Sequence, residues 1–225
     1  MDRYIRHNQL EGFGPDAQRR LADATVLIVG AGALGTAAAM PLAASGVGHI
    51  RVVDFDNVDI TNLQRQLAFT EGDVGTPKAE SLAAKMRAIN SGIDITHYCE
   101  KVNAAHFEGV DLVVEASDNP TCKYFVTDTC EAAGIPYVFG GIAQWRGQAL
   151  SWAPGHIGYR NIYPEGTDAY LPASRGGVLG PLPPIIGAIE ATEAIKILSG
   201  AGTPRYDSLL LLDARTLTFT QINLA

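Results

Sequence analysis

Short apolar runs alternate with helical patterns through the first 141 residues. The apolar runs are rich in Val and Ile and have the length of buried strands, and small or amphipathic helical segments separate them. The predicted strands are 26–29, 49–54, 93–99, 111–116 and 137–141, and the predicted helices are 36–45, 77–89 and 121–133. Regular alternation of strand and helix predicts a parallel sheet with helices on both faces.

The rhythm changes after residue 141. Segments 148–152 and 209–224 are predicted to be antiparallel strands, the latter with a turn at 213–216. A Gly/Pro-rich segment, 155–184, lies between them and leads into an apolar helix predicted over 185–198. We therefore expect an α/β fold with a Rossmann-like, doubly wound, mainly parallel sheet that is extended by C-terminal antiparallel strands.

A glycine-rich turn joins the first predicted strand to its helix. Gly30, Gly32 and Gly35 have the Gly-x-Gly-x-x-Gly spacing, in which glycine permits a tight turn, close approach to a phosphate and close helix–strand packing. The helix N-terminus that follows favours an anion. Asp54 comes about 20 residues later at the end of a strand, where it could hold a ribose or simply begin the turn before Asp56. The sequence therefore predicts a nucleotide site.

The predicted nucleotide-binding part spans 24–141. An N-terminal arm and helix (1–23) precede it, and the antiparallel part (142–225) follows. Because no Gly/Pro-rich or charged linker separates these parts, we expect a single domain over 1–225.

Composition and charge narrow the possible partners. Only 18% of the 225 residues are charged, which suggests that part of the surface is buried in an oligomer. The net charge of −7 argues against nucleic acid or a membrane surface as a partner. No apolar run approaches the roughly 18 residues that a membrane span needs, and the N-terminus lacks a signal-peptide core, so a cytoplasmic location is expected.

The cysteines and histidines do not predict a metal centre. The three cysteines form no Cys-x-x-Cys pair, and we expect each to be a small core residue. The five histidines do not have the spacing of metal ligands. No zinc site is therefore expected.

Two basic residues suggest a polyphosphate. Lys78 lies in the first turn of a predicted helix, where its charge opposes the helix dipole unless an anion is bound there. Arg65 lies in a polar segment with Asn62 and Gln66, where a guanidinium and amide neighbours could bind phosphate oxygens. The alternatives are an ordinary surface lysine and a solvated loop arginine.

Asp118 follows the predicted strand 111–116, at the edge of the sheet where open α/β folds bind ligands. Its carboxylate could hold Mg2+, which proteins usually bind through one or two carboxylates together with phosphate oxygens. Alternatively, Asp118 or Asn119 could cap the helix that Pro120 begins. A carboxylate and two cations around a phosphate favour ATP chemistry over hydride transfer to NAD, which would leave these three side chains without a shared purpose.

Motifs along nearly the whole chain, in one order and spacing, resemble the ThiF/MoeB/HesA family, bacterial relatives of ubiquitin-activating enzymes. They are Arg3-Tyr4-Ile5-Arg6-His7-Asn8, the Gly30–Gly35 turn, Asp54-Phe55-Asp56, Asn62-Leu63-Gln64-Arg65-Gln66, Gly75-Thr76-Pro77-Lys78, Ser117-Asp118-Asn119, Gly147-Gln148, Tyr159-Arg160, Gly177-Val178-Leu179-Gly180-Pro181 and Glu193-Ala194-Ile195-Lys196. Such enzymes adenylate the C-terminal glycine of a small ubiquitin-like protein and release pyrophosphate.

The resemblance implies a role for each matching residue. Asp54 would hold the ATP ribose and Asp118 would hold Mg2+. Arg6 would reach the γ-phosphate of ATP bound in a neighbouring subunit, which implies a homodimer. The implied catalytic residues are Arg6, Asn62, Arg65, Lys78 and Asp118. The implied ATP-binding residues are Gly30, Gly32, Gly35, Asp54, Asp56, Asn62, Arg65, Gln66, Lys78 and Asn119.

The chain departs from the family in two places. Gly158 and Asn161 stand where many members have the first of two zinc-binding Cys-x-x-Cys pairs, and Ala173 stands where many have a cysteine that bonds to the carrier. We therefore expect adenylation with ATP and Mg2+, without zinc and without a covalent carrier intermediate at residue 173.

The leading hypothesis is an adenylyltransferase acting on a ThiS- or MoaD-like sulfur carrier ending in Gly-Gly, in thiamine or molybdopterin synthesis. One alternative is adenylation of another carboxylate, on a peptide or a tRNA-linked substrate. A second alternative is a non-catalytic binding partner, similar to the inactive halves of some heterodimeric relatives.

Overall fold

One eight-stranded sheet organises the chain. The computed structural model describes residues 3–165 and 176–225. Its strands are β1 (Thr25–Val29), β2 (His49–Val53), β3 (Asp94–Tyr98), β4 (Leu112–Glu115), β5 (Tyr137–Ala143), β6 (Arg146–Trp152), β7 (Ser208–Asp213) and β8 (Thr218–Asn223). Their order is β3-β2-β1-β4-β5-β6-β7-β8. The first five strands in that order are parallel and the last three pairings are antiparallel, so the predicted fold is confirmed.

Helices cover both faces of the sheet. They are α1 (Ile5–Asn8), α2 (Gly14–Asp23), α3 (Ala33–Ser45), α4 (Lys78–Ile89), α5 (Pro120–Ala133), α6 (Tyr159–Ile162) and α7 (Leu182–Ser199). On one face, α2, α3, α4 and α7 bury a large apolar core against the sheet, and on the other face α5 and α6 cover a smaller one. The strand order reverses between β1 and β4, so the carboxyl ends of these strands form the crevice in which such folds bind ligands.

The glycine turn between β1 and α3 depends on the absence of side chains. Gly30 has φ +95°, and a Cβ at this position would lie 2.9 Å from the Ala116 carbonyl oxygen. A Cβ at Gly35 would lie 1.8 Å from the carbonyl oxygen of Gly30. Glycine at these two positions therefore allows α3 to pack closely against the turn and β4.

Four helix starts differ from the predictions, and α5 begins at Pro120, one residue before the predicted 121. α3 begins three residues before the predicted residue 36, directly after Gly32. α4 begins at Lys78 with Pro77 as its N-cap, and the predicted cap from Thr76 is wrong, since the Thr76 hydroxyl donates to the Asp73 carbonyl instead. α7 begins at Leu182, because the two prolines that follow lie in its first turn, where a missing N–H costs no helical hydrogen bond.

The remaining predictions concern the N-terminal arm, the cysteines and residue 173. The predicted N-terminal arm contains the short helix α1. Cys130 is buried as predicted, whereas Cys99 is exposed at the end of β3, so its assignment to the core is wrong. Ala173 lies outside the described residues. In the described ranges, no helix has the length and apolar character needed to cross a membrane.

Candidate active site

A cavity of about 640 Å³ opens at the carboxyl ends of the parallel strands. It brings together most of the residues that the sequence predicted to bind ATP. Those that line it are Gly30, Gly32, Asp54, Asp56, Asn62, Arg65, Gln66, Lys78, Asp118 and Asn119. Gly35 is buried on α3 and Arg6 is exposed on α1, and neither lines the cavity.

Asp54 joins the end of β2 to the glycine turn. One carboxylate oxygen accepts the Ala31 backbone N–H at 2.7 Å, and the other accepts that of Asp56 at 2.7 Å. Burial raises the pKa of Asp54, while these two hydrogen bonds and the charge of Lys78 act in the opposite direction. Asp54 therefore stabilises the turn that it begins, which is the role considered above as the alternative to ribose binding. Each oxygen also keeps acceptor capacity toward a ligand.

Lys78 forms an ion pair in the cavity wall. Its side chain is 9% exposed, and its Nζ lies 2.9 Å from the half-exposed carboxylate of Asp56. The Lys78 backbone N–H also donates to the Asp56 carbonyl at 2.9 Å, which fixes the start of α4. The buried Lys78 ammonium at the N-terminus of α4 thus has a counter-ion, Asp56, on the cavity side. An anion bound in the cavity would interact with the same ammonium.

The segment 59–66 carries donors into the cavity. Asp59 and Asn62 cap each other around a short 3-10 turn, Ile60–Asn62. One N–H of the Arg65 guanidinium donates to the Thr61 carbonyl at 3.0 Å, which uses one of its five donors. Gln66 is buried, and its Oε1 has no hydrogen-bond partner within the described ranges. An amide that lines a cavity with one end unpaired fits a polar ligand there.

The turn after β4 separates the two roles considered for Asp118 and Asn119. Asn119 caps α5, its Oδ1 accepting the Cys122 N–H at 3.2 Å. Asp118 is exposed and makes no hydrogen bond or ion pair with any residue that the structure describes. Helix capping therefore accounts for Asn119 alone, and the Asp118 carboxylate is left open to the cavity.

A metal ion at this site could take Asp118, the one cavity-lining carboxylate that makes no hydrogen bond or ion pair with the described residues. No group of three His, Cys, Asp or Glu side chains in the described part of the chain is arranged to hold a metal. Mg2+ is commonly bound by one or two carboxylates, with phosphate oxygens and water completing the shell. The donor set thus fits a cation that arrives with a polyphosphate and does not fit a metal held by protein ligands alone.

Several residues around the cavity were not predicted from the sequence. Ser117 lines it beside Asp118, and behind them Glu115 and Lys123 form an ion pair that is fully buried. Cys122 also lines the cavity, and burial raises the pKa of its thiol, which makes it a poor nucleophile. The sequence contains one indication of this ion pair, which is that Glu115 lies near the end of an otherwise apolar predicted strand.

Comparison with known proteins decides the family. A model of the ThiF family matches residues 4–225. The chain belongs to the ThiF family. It is 42% identical over 228 residues to the SAMP-activating enzyme E1 of Haloferax volcanii, covering 99% of this chain and 84% of that protein. It is 38% identical over 234 residues to the sulfur carrier protein adenylyltransferase of Thermus thermophilus, with 99% and 86% covered.

Solved structures agree with this assignment of the ThiF fold. The structure of Escherichia coli MccB with ATP superimposes with a TM-score of 0.86 at 25% identity, covering 100% of this chain and 72% of that one. The chain also spans 59% of a longer relative, the probable adenylyltransferase/sulfurtransferase MoeZ of Mycobacterium tuberculosis, at 39% identity.

Proposed function

We propose that this ThiF-family chain is an ATP-dependent adenylyltransferase that activates the C-terminal carboxylate of a small ubiquitin-like sulfur carrier. Two relatives that it matches over 99% of its length are named as a SAMP-activating enzyme and a sulfur carrier protein adenylyltransferase. The observation that carries the proposal is the cavity itself. It combines a glycine turn, an aspartate at the end of β2, two basic side chains and the unpaired carboxylate of Asp118.

The proposed ATP orientation follows from the donors and acceptors. The ribose hydroxyls would donate to Asp54, which keeps acceptor capacity beside the glycine turn. The phosphates would extend along the turn toward Lys78 and Arg65, with the amides of Asn62 and Gln66 alongside. In this arrangement the buried Lys78 ammonium, now paired with Asp56, would gain a second anionic partner.

The proposed reaction needs no protein base. A C-terminal carboxylate has a reference pKa near 3.5 and is ionised at neutral pH. Its oxygen attacks the α-phosphorus in line, a new acyl–phosphate bond forms, and the bond from that phosphorus to the bridging oxygen breaks. The electron pair leaves with pyrophosphate, whose growing charge Lys78 and Arg65 would offset. Mg2+ held by Asp118 would add charge compensation on the phosphates.

A second cavity supports a path for the carrier tail. It has a volume of about 420 Å³ and lies along β6, β7 and β8. Gly141 and Ile142 line both cavities, so the two spaces adjoin. We propose that the antiparallel part, 142–225, binds the carrier there. A tail ending in Gly-Gly would suit such a path, since glycine lacks the side chain that would obstruct a narrow one.

We propose that two copies of the chain assemble and that Arg6 completes the site of the neighbouring copy. Arg6 is exposed on α1 and does not line the cavity of its own chain. Mixed protomers can test this. Arg6→Ala and Asp118→Ala should each be inactive alone, and mixing them should restore part of the activity. Absence of any rescue in a sample shown to form mixed dimers would contradict a role for Arg6 in trans.

The reaction can be tested by exchange of labelled pyrophosphate into ATP. Purified chain with Mg2+ should catalyse exchange when given a ThiS- or MoaD-like carrier, and the carrier that works would indicate thiamine or molybdopterin synthesis. A carrier lacking its last glycine is the matched control. Failure with every carrier, together with ATP binding, would favour a non-catalytic binding partner.

The alternative substrate, a peptide or a tRNA-linked carboxylate, has one supporting observation. Structures similar to this chain include the microcin C7 biosynthetic enzyme MccB in complex with N-formylated MccA. The same exchange assay should therefore include short peptides and a tRNA-linked substrate. Exchange with one of these and with no carrier would replace the proposed substrate while keeping the adenylation chemistry.

A further inference from the structure

A fully buried ion pair lies directly behind Asp118. Lys123, on α5, donates from Nζ to Oε2 of Glu115 at 2.5 Å, and both side chains are 0% exposed. The same ammonium lies 3.3 Å from the Gly140 carbonyl oxygen and 4.6 Å from the ring centroid of Phe139. Lys123 is therefore held where β4, β5 and α5 meet, beneath the floor of the cavity.

The second oxygen of the same carboxylate reaches the Asp118 turn. Oε1 of Glu115 accepts the Ser117 backbone N–H at 3.1 Å and also the Ser117 hydroxyl. On the far side of the turn, the Lys123 backbone N–H donates to the Asn119 carbonyl at 3.0 Å. The residues on both sides of Asp118 are thus tied to the Glu115–Lys123 pair, whereas Asp118 itself makes no such bond among the described residues.

We propose that the Lys123–Glu115 pair positions Asp118, by holding the turn so that its carboxylate faces the phosphates of a bound nucleotide. The inference rests on the proposed function, because it assigns the aligned carboxylate to Mg2+. Burying two charges gives little net stability compared with apolar packing. The pair is therefore better explained by a role in fixing the geometry of the Asp118 turn. Glu115 and Lys123 are positioning residues here, since neither lines the cavity.

A third buried carboxyl group supplies a control. Glu190, on α7, is 1% exposed, and neither carboxyl oxygen has a hydrogen-bond partner in the part of the chain that is described. Burial raises the pKa of Glu190 well above its ordinary value, more than the charge of Lys123 lowers it. Glu190 packs against Gly140, whose carbonyl oxygen lies near the Lys123 ammonium, so Glu190→Gln changes a neighbouring buried carboxyl group and leaves the Glu115–Lys123 pair in place.

The test is ATP affinity measured with excess Mg2+ and again in EDTA, on the full chain without carrier. In the unmodified protein, Mg2+ should tighten ATP binding by about tenfold or more, the usual scale of coupling between two ligands. Asp118→Ala should remove this effect. Lys123→Met should move it most of the way toward Asp118→Ala while changing the affinity in EDTA less than about twofold. Ser117→Ala keeps the backbone N–H bond to Glu115 and should move it part of the way.

The remaining variants distinguish positioning from folding. Lys123→Arg, which keeps the charge, should preserve the Mg2+ effect, and so should Glu190→Gln. Lys123→Met leaves Glu115 without its counter-ion and strongly destabilises the chain. Ser117→Ala removes the hydroxyl tie and leaves the buried pair intact, so a melting curve near that of the unmodified protein is expected. It keeps the test valid if Lys123→Met does not fold.

Two results would overturn the inference. One is an undiminished Mg2+ effect in folded Ser117→Ala and Lys123→Met. The other is an equal loss of affinity with and without Mg2+, which indicates a purely structural role. Failure of the proposed function has a different signature, because pyrophosphate exchange would be absent while ATP binding and its Mg2+ dependence persist.

Discussion

Alanine at Gly35 places a methyl group against the backbone of the glycine turn. The new Cβ would lie 1.8 Å from the Gly30 carbonyl oxygen and 3.6 Å from the Ala116 side chain. The first obstacle is backbone, so the clash cannot be relieved by rotating a side chain, and α3 must shift away from β1 or the turn must deform. Gly35 and Gly30 together form the junction on which the cavity floor rests.

The expected cost follows from this contact. Overpacking a tight site costs about 3 kcal/mol at the upper end of its usual range, which is appropriate when the obstacle is backbone. Alanine recovers about 1 kcal/mol of helix propensity in α3. A net loss of about 2 kcal/mol corresponds to a Tm lower by about 4–8 °C for a chain of this size.

Gly32 supplies a matched control within the same turn. A Cβ there would meet only the Gln66 side-chain nitrogen, at 3.8 Å, which is ordinary van der Waals contact. Its φ of −80° suits any residue, so Gly32→Ala should cost about 1 kcal/mol or less, mainly through the poorer N-cap. Because Gly32 lines the cavity, the same change should weaken ATP binding.

Thermal unfolding and ATP titration of both variants measure the two effects separately. Gly35→Ala should have a lower Tm, and Gly32→Ala should melt near the unmodified protein while binding ATP more weakly. Equal melting temperatures for all three proteins would refute the steric reasoning. Undiminished ATP affinity in Gly32→Ala would show that phosphate does not approach this turn.

Two further predictions concern the ion pairs between the lysines of α4 and the aspartates that precede this helix. Lys78→Met should raise the KM for ATP by about tenfold or more, because a charged hydrogen bond is lost and Asp56 keeps its negative charge. Lys85→Met, on the same helix and paired with Asp73 at 3.0 Å, should leave that KM unchanged. Hydrogen bonds from Thr70 hold the pKa of Asp73 well below its ordinary value. Since its folded pKa is depressed, Asp73 stabilises the fold above pH 4 or so. Asp73→Asn should therefore lower the Tm at pH 7, and the difference should shrink as the pH falls toward 2.

Much of the fold could be predicted because its strands are locally encoded. Buried parallel strands read as apolar runs, so β1 and β5 were located to within about two residues. The start of α7 was missed because Pro183 and Pro184 resemble loop residues, although proline is compatible with a first helical turn. Helix ends depend on which N–H groups need partners, and a residue pattern does not record that.

The site was predictable where its residues stand near strand ends. Asp54 follows β2 directly and Asp118 lies three residues after the end of β4, and parallel strands bring their carboxyl ends to one edge. The pairing of Glu115 with Lys123 was not predicted, because it depends on α5 folding back over β4 and on burial of both charges. The division of roles between Asp118 and Asn119 likewise depends on a single hydrogen bond to Cys122.

Pyrophosphate exchange by Asp118→Asn tests the central claim most directly. The change keeps the size of the side chain and removes the one cavity-lining carboxylate that makes no hydrogen bond or ion pair with the described residues. With ATP, Mg2+ and a carrier ending in Gly-Gly, the unmodified chain should exchange label and Asp118→Asn should lose nearly all exchange while melting at the same temperature. Full exchange by a folded Asp118→Asn protein would contradict adenylation at this cavity.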